Sequence, residues 1–305
     1  LSHAAASFQT SSFEDATAVI VDAIGEFETI TIWDAYYSNG RAKYKKIYSK
    51  KYPNSIGLFY SAMTKHVGLQ PLDEEYILMG MSAYGHPKHF SEMYNNLIED
   101  SVTLEFRENL HIGAPDSFLA NADNMDVASS SQLMVEFLIQ QVMIKARDLG
   151  KSRNLVYGGG VALNCLANRL LGNYFSNIWI MPNPGDCGSS LGAAALGYGK
   201  KLNWTDSYLG YDISGDYPTN RILDCLLTDK IVGVASGRSE FGPRALGNRS
   251  LLADPRGNEI KDKVNEIKRR QKFRPFAPVI LEELASDYFY MPNGWSNSRY
   301  MQVIA

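Results

Sequence analysis

The sequence predicts an α/β protein with two domains, and three observations predict it. Two strand–glycine-rich loop–helix units follow each other between residues 154 and 200. A pair of β-branched apolar runs precedes them near residues 17–33. Beyond residue 230 the chain turns basic, although the whole chain carries a net charge of −3.

In chain order, residues 17–23 (TAVIVDA) are β-branched and apolar, and residues 28–33 alternate in the same manner; together they read as a hairpin turning at Gly25-Glu26. Residues 55–67 carry a helical pattern, and residues 127–149 a long amphipathic one opened by serines. The period then changes. Residues 154–157 form a strand, followed by Gly158-Gly159-Gly160 and a helix over 162–171. Residues 177–181 form a second strand, followed by Pro182-Asn183-Pro184-Gly185-Asp186 and a helix over 189–200. Residues 202–220 lose periodicity and collect Asp, Gly, Ser, Tyr and Pro, so they read as a linker dividing 1–205 from 206–305. A new strand opens at residues 230–236 (KIVGVAS).

The 305 residues, 45% hydrophobic and 21% charged, fit a globular protein with a real core. The mild negative charge gives no reason to expect a nucleic-acid or membrane partner, and no apolar run reaches the roughly 20 residues of a membrane span. The first residues lack the pattern of a signal peptide. Three cysteines without C-x-x-C spacing argue against a disulfide framework and for a cytoplasmic setting.

Five constellations carry possible chemistry. Gly158-Gly159-Gly160, between a strand and a helix and followed by Asn164, lets backbone N–H groups approach a phosphate; close strand–helix packing explains the triplet equally well. Asp186, flanked by Gly185 and Cys187-Gly188 at a strand end, suits a metal or Mg–nucleotide contact, or a helix N-cap; Cys187 reads as a small buried residue. His3 stands almost at the first residue, where a lone histidine is usually structural. Asp22 closes a strand before a turn, and ordinary turn chemistry also places Asp there.

The fifth is the most specific. Residues 237–250 read GRSEFGPRALGNRS, followed by Asp254-Pro255-Arg256 and by residues 268–275, KRRQKFRP. Between Arg238 and Arg274 there are eleven Lys or Arg against five Asp or Glu. Guanidinium groups bind phosphate bidentately, and interleaved Gly and Pro fix their directions. Phe241, Phe273 and Phe276 read as packed rather than as exposed stacking platforms, so a small phosphorylated substrate fits better than nucleic acid.

At these strings the chain resembles the NodU/CmcH carbamoyltransferase family. Leu1-Ser2-His3-Ala4 resembles the end of its H-x-x-x-H motif, and Asp22 to Glu26 its D-G-x-G-E segment, with Ala23 replacing Gly. Residues 75–85 (EYILMGMSAYG) resemble E-Y-K-x-M-G-L-A-x-Y-G, with Ile77 replacing Lys. GGGVALNC, PGDCG and EFGPRALGNRS follow in the family's order.

The resemblance implies a truncated actin-like ATPase (ASKHA, ribonuclease-H-like) domain over 1–205, then a partial YrdC-like α+β domain over 206–305. The second would form carbamoyladenylate from carbamoyl phosphate and ATP with Mg. The first would pass the carbamoyl group to a hydroxyl of a small-molecule acceptor, near a divalent Fe, Zn or Mn. Carried over residue by residue, His3 and Asp186 are metal ligands, and Lys268, Arg270 and Arg274 match K-x-R-E-x-F-R-P and grip phosphates, with Gln271 replacing Glu. Arg244 and Asn248 line the same pocket, and Asp22 is the candidate polar contact or base at the acceptor. The resemblance also places a second metal histidine and the first phosphate hairpin upstream of Leu1, and more of the YrdC-like domain beyond Ala305, so this polypeptide alone is expected to be inactive. Two other functions compete: a tRNA-modifying carbamoyl or threonylcarbamoyl transferase, and a nucleotide-binding regulatory protein that has lost catalysis.

Overall fold

The apolar run that opens the sequence pattern becomes β1 (Asp15–Gly25), buried on both faces over most of its length, at the centre of a five-stranded sheet. The structure, a computed structural model, describes residues 1–305. β2 (Glu28–Ser38) pairs antiparallel with β1, and β3 (Arg41–Lys51) antiparallel with β2. On the other side β6 (Asn154–Gly158) and β7 (Asn177–Ile180) run parallel to β1, giving the order β3-β2-β1-β6-β7. Val19 lies opposite Ile32 on one side and Tyr157 on the other.

β3 has no counterpart in the sequence pattern. It holds six Lys or Arg in eleven residues, so no apolar period announces it. Its Asn39-Gly40 turn, with φ of 51° and 69°, is the mirror-image type that closes tight hairpins. Lysines on an edge strand also discourage pairing with another chain.

One face of the sheet carries α1 (Ser2–Gln9), an alanine-rich helix whose Ala4 and Phe8 pack on Ala18, Ile20, Trp33 and Val156. α1 crosses α7 (Asp186–Tyr198) at very close range: a Cβ on Gly192 would stand 1.9 Å from the Ser2 carbonyl oxygen. Gln9 ties the pair by donating to the Ala195 and Lys200 carbonyls at 2.8 and 2.7 Å.

On the remaining elements of the first unit, the helical pattern of residues 55–67 becomes α2 (Ile56–His66), capped by Ser55. α3 (Glu75–Met81) and α4 (Phe90–Leu97) follow, with a small hairpin of β4 (Ile98–Asp100) and β5 (Glu105–Phe106). α5 (Asn124–Leu149) opens on Asp123, which accepts from Met125 and Asp126, rather than on serine. Ser130 and Ser131 lie inside it, donating back to the carbonyls four residues earlier, and are fully buried. The helix read over 162–171 is broken into a 3₁₀ turn (Gly160–Leu163), α6 (Cys165–Asn168) and a second turn (Leu171–Asn173). Asn164 leaves helical geometry there and caps α6 through Ala167 N–H at 3.0 Å. No helix is long and apolar enough to cross a membrane.

Asp126 stitches the loop before α4 to α5, accepting from His86 N–H at 2.7 Å and from Lys88 Nζ at 2.6 Å. The Lys88 and His86 hydrogen bonds hold its carboxyl below the usual range. A carboxylate whose folded pKa is depressed contributes stability above its unfolded pKa, about 3.9, and loses it as pH falls through the folded value. Asp126→Asn is therefore expected to flatten the loss of stability between about pH 5 and pH 2, read as the urea midpoint at each pH, without changing the m-value.

The chain forms two compact units: Leu1–Trp204 with Ile280–Ala305, and Thr205–Val279. The division after Trp204 falls beside the linker read from composition. Whereas the sequence reading keeps all of 206–305 in one domain, the last segment, with α10 (Ala285–Tyr288), packs on the first unit. Asn168 donates to Gln302 O at 2.8 Å, Trp295 donates to Asn168 O at 3.2 Å, and Gly172 leaves no room for a Cβ beside Asn293 O.

The second unit contains β8 (Asp212–Ile213), α8 (Thr219–Thr228), β9 (Ile231–Ala235), β10 (Gly237–Arg238), β11 (Arg249–Ala253) and α9 (Ile260–Ile267). β9 pairs antiparallel with β11, and β10 with β8, so part of the supposed linker is a strand.

Candidate functional site

Three acidic or imidazole side chains converge in the first unit. His3 comes from α1, Asp22 from β1, and Asp186 from the first turn of α7. His3 Nε2 lies 3.0 Å from Asp22 Oδ2 and 3.1 Å from Asp186 Oδ1, and one ligand atom from each residue falls within 4.8 Å of the others. His3 and Asp22 are almost enclosed, while the Asp186 side chain is 87% exposed and forms the open side.

Why these three meet is legible in the local packing. The Gly159 N–H donates to Pro184 O at 2.9 Å, which ties the loop after β6 to the loop after β7 and so brings Asp186 to the end of β1. Gly159 adopts φ +87°, and a Cβ there would stand 2.2 Å from Val21 O. A Cβ on Gly158 would stand 2.6 Å from Ser7 Oγ, and one on Gly160 would stand 3.1 Å from Asp22 Oδ1. The triplet is thus required by close packing of the loop on α1 and β1. Asn164, read as a phosphate neighbour, faces inward: it exchanges hydrogen bonds with Gln132 at 3.0 and 3.1 Å while capping α6.

The electrostatics favour a cation at the convergence point. Burial works against protonation of His3, but the Asp22 and Asp186 carboxylates outweigh it and raise its pKa. Asp22 Oδ1 accepts from Ala23 N–H at 2.8 Å, while Oδ2 is buried and accepts no hydrogen bond. His3 Nδ1 is also buried without a partner. An imidazole nitrogen and two carboxylate oxygens around one point suit a divalent transition metal, so the residues present fit the group. The sequence reading placed His3 and Asp186 on the metal and Asp22 beside the acceptor; the fold brings all three together. Cys187, read as buried, is exposed. A cavity of about 570 Å³ at the far end of α2, lined by Lys65, His66 and Asn124, contains none of these residues.

The second unit gathers the basic candidates. Burial, followed by the charges of Arg270 and Arg274, holds the Lys268 ammonium below the usual lysine range, so the three cations crowd one another. Such crowding costs stability unless a polyanion resolves it. Arg270 also shapes the turn: it donates to Asn265 Oδ1 at 2.7 Å and lies over the Phe276 ring at 4.6 Å. Asn265 in turn donates to the Lys272 and Arg274 carbonyls, each at 3.0 Å. Arg244 sits half-buried in the loop between β10 and β11, and Asn248 in the same loop donates to Arg238 O at 2.8 Å. Arg249 serves the backbone, donating to the carbonyls of Ser236, Asn248, Tyr211 and Gly237 at 2.7–3.1 Å.

Comparison with known families agrees with this division of residues. A family model described as Carbamoyltransferase N-terminus matches residues 1–195, and one described as Carbamoyltransferase C-terminus matches residues 223–305. The chain belongs to the carbamoyltransferase family. Among curated relatives of this carbamoyltransferase, nodulation protein NolO of Bradyrhizobium diazoefficiens is 30% identical over 342 residues, covering 99% of the chain and 61% of its own length. The uncharacterized protein sll1178 of Synechocystis is 33% identical over 360 residues, covering 100% and 57% respectively. Nodulation protein U of Sinorhizobium fredii is 38% identical over 184 residues, 54% of the chain and 33% of its own length. The chain therefore spans about three-fifths of the length of the first two relatives.

Proposed function

We propose that this carbamoyltransferase makes carbamoyladenylate from carbamoyl phosphate and ATP, then moves the carbamoyl group to a hydroxyl of a small-molecule acceptor. The observation that carries the reading is the convergence of His3, Asp22 and Asp186, from three separate elements, on one point suited to a divalent cation. The crowded Lys268, Arg270 and Arg274 support the adenylating half. The order β3-β2-β1-β6-β7, an antiparallel meander extended by parallel strands, supports the actin-like, ribonuclease-H-like reading of the first unit. The short antiparallel pairs and basic loops of the second unit are compatible with the YrdC-like reading.

The atoms balance as follows. Carbamoyl phosphate takes up one water to give carbamate and phosphate. A carbamate oxygen attacks the α-phosphorus of ATP, and pyrophosphate leaves. The acceptor hydroxyl oxygen then attacks the carbamoyl carbon, AMP leaves, and the hydroxyl proton is lost. The anionic reactants of the first half need cations to offset repulsion, which Lys268, Arg274 and Arg244 supply, with Arg270 holding their turn in shape. In the second half His3, Asp22 and Asp186 would hold Fe, Zn or Mn, whose contribution is to polarise the carbamoyl carbonyl or lower the pKa of the acceptor hydroxyl. Asp22 thereby becomes a ligand or an orienting group for His3 rather than a solitary base.

The test is pyrophosphate release by the full-length gene product, given ATP with and without carbamoyl phosphate and with no acceptor. Release that depends on carbamoyl phosphate is expected, and Lys268→Ala is expected to lower it on the order of 100-fold, the loss of one charge-stabilising donor. ATP binding without such release would overturn the reading.

A further inference from the structure

Glu240 is an anion in a loop otherwise arranged for anions. It sits in the loop between β10 and β11, four residues before Arg244. Its Oε1 accepts three backbone hydrogen bonds: from Leu246 N–H at 2.8 Å, Asn248 N–H at 2.9 Å and Arg249 N–H at 3.2 Å. One oxygen thus gathers amides from the far limb of the loop and folds it back on the near limb. The carbonyls of that limb are held from the other direction: Tyr208 Oη donates to Leu246 O at 2.8 Å, and Tyr217 Oη to Gly247 O at 3.1 Å. Asn248 Nδ2 closes the base of the loop on Arg238 O at 2.8 Å, and Ser250 Oγ accepts from Gly247 N–H at 2.8 Å.

Gly242 and Gly247 bracket the segment bearing Arg244, with φ of +127° and +113°. Those values are open only to glycine at low cost, so both bends are built into the chain. The tip, Gly242 to Ala245, is presented by a frame fixed at both ends. Burial alone would raise the Glu240 pKa, but the amide donors outweigh it and keep the carboxylate ionised. A carboxylate near phosphate-binding cations opposes the ligand's charge, so its presence calls for a compensating task.

We propose that Glu240 is the positioning residue of the phosphate-binding loop, folding the backbone of residues 246–249 so that Arg244 is aimed before substrate arrives. This rests on the reading of Arg244 as a phosphate contact. Glu240 touches no reacting atom in this role. Preorganisation of this kind shows in substrate affinity: without it, the loop must be ordered at the moment of binding.

Two measurements on the full-length protein decide it. The first is amide hydrogen exchange of Leu246, Asn248 and Arg249, which requires no activity. These amides are expected to be protected in the parent, to lose protection in Glu240→Ala while β9 and α5 keep theirs, and to regain it in Glu240→Gln, whose carbonyl oxygen still accepts. The second is carbamoyl-phosphate-dependent pyrophosphate release. Glu240→Ala is expected to raise the KM for carbamoyl phosphate about tenfold, as the loss of a charge-assisted acceptor worth about 1.4 kcal/mol would, with kcat within about threefold. Glu240→Gln is expected to restore most of it. Unprotected amides in the parent, or protection unchanged in Glu240→Ala, would overturn the proposal. So would a kcat lost equally in the Ala and Gln variants with KM unchanged, which would make Glu240 a participant in the chemistry. If the parent releases no pyrophosphate, the functional reading fails and hydrogen exchange still decides the role of Glu240.

Discussion

Asp186→Ala is expected to strip the divalent ion from the full-length protein and to lower carbamoyl transfer to the acceptor by on the order of 100-fold or more. A Lewis acid contributes several kcal/mol at a developing charge, and about 1.4 kcal/mol corresponds to each factor of ten. The exposed position of Asp186 keeps the effect local: its side chain is 87% exposed, so the variant loses little packing. Its place in the first turn of α7 adds only the modest stabilisation of a carboxylate near a helix N-terminus. Metal content per chain by elemental analysis is the primary readout, with carbamoyl-phosphate-dependent pyrophosphate release as the internal control. Pyrophosphate release should persist, since Lys268, Arg270 and Arg274 belong to the other unit. Metal retained at the parent level in Asp186→Ala would remove Asp186 from the ligand set. Loss of both activities together would mean that the variant damages more than the metal point.

The largest effect on stability is expected at Gly159. Its φ of +87° is unfavourable for any side chain, and an added Cβ would meet Val21 O at 2.2 Å, backbone that cannot swing aside. Strain of about 1–3 kcal/mol and overpacking of similar size combine to about 3–5 kcal/mol in Gly159→Ala, a large part of a typical 5–15 kcal/mol total. Gly40→Ala is the matched control. Gly40 has φ of +69° with nothing within 4 Å of its Cβ position, so only the conformational cost of about 1 kcal/mol applies. Urea denaturation at constant m-value measures both. Equal losses in the two variants would show that the loop after β6 is not packed against β1.

Much of the architecture was legible in the residues. β1 and β2 follow from their β-branched runs, α2 from its period and its serine cap, and the parallel pair β6 and β7 from two apolar runs with glycine-rich exits. β3 was not, because an edge strand solvated along its length keeps its lysines and shows no apolar period. The break between the 3₁₀ turn and α6 was not legible either: Asn164 leaves the helix to pair with Gln132, thirty-two residues away in sequence. The return of the last segment to the first unit depends on contacts such as Trp295 with Asn168, between residues far apart in the chain.

The candidate site divides in the same way. Asp22, Asp186, His3 and the basic strings were each visible as residue types in a suggestive setting. The role of Glu240 was hidden, since a single Glu inside a basic motif reads as charge balance until three amide donors are seen on one oxygen.

The sequence by itself determined the sheet-forming runs, the glycine-rich exits, the basic loops and the family, because each depends on neighbours within a few turns of chain. Only the tertiary structure decided that His3, Asp22 and Asp186 share one point. That meeting rests on α1 crossing α7 at Gly192 and on Gly159 binding Pro184, contacts between segments whose approach no local pattern encodes.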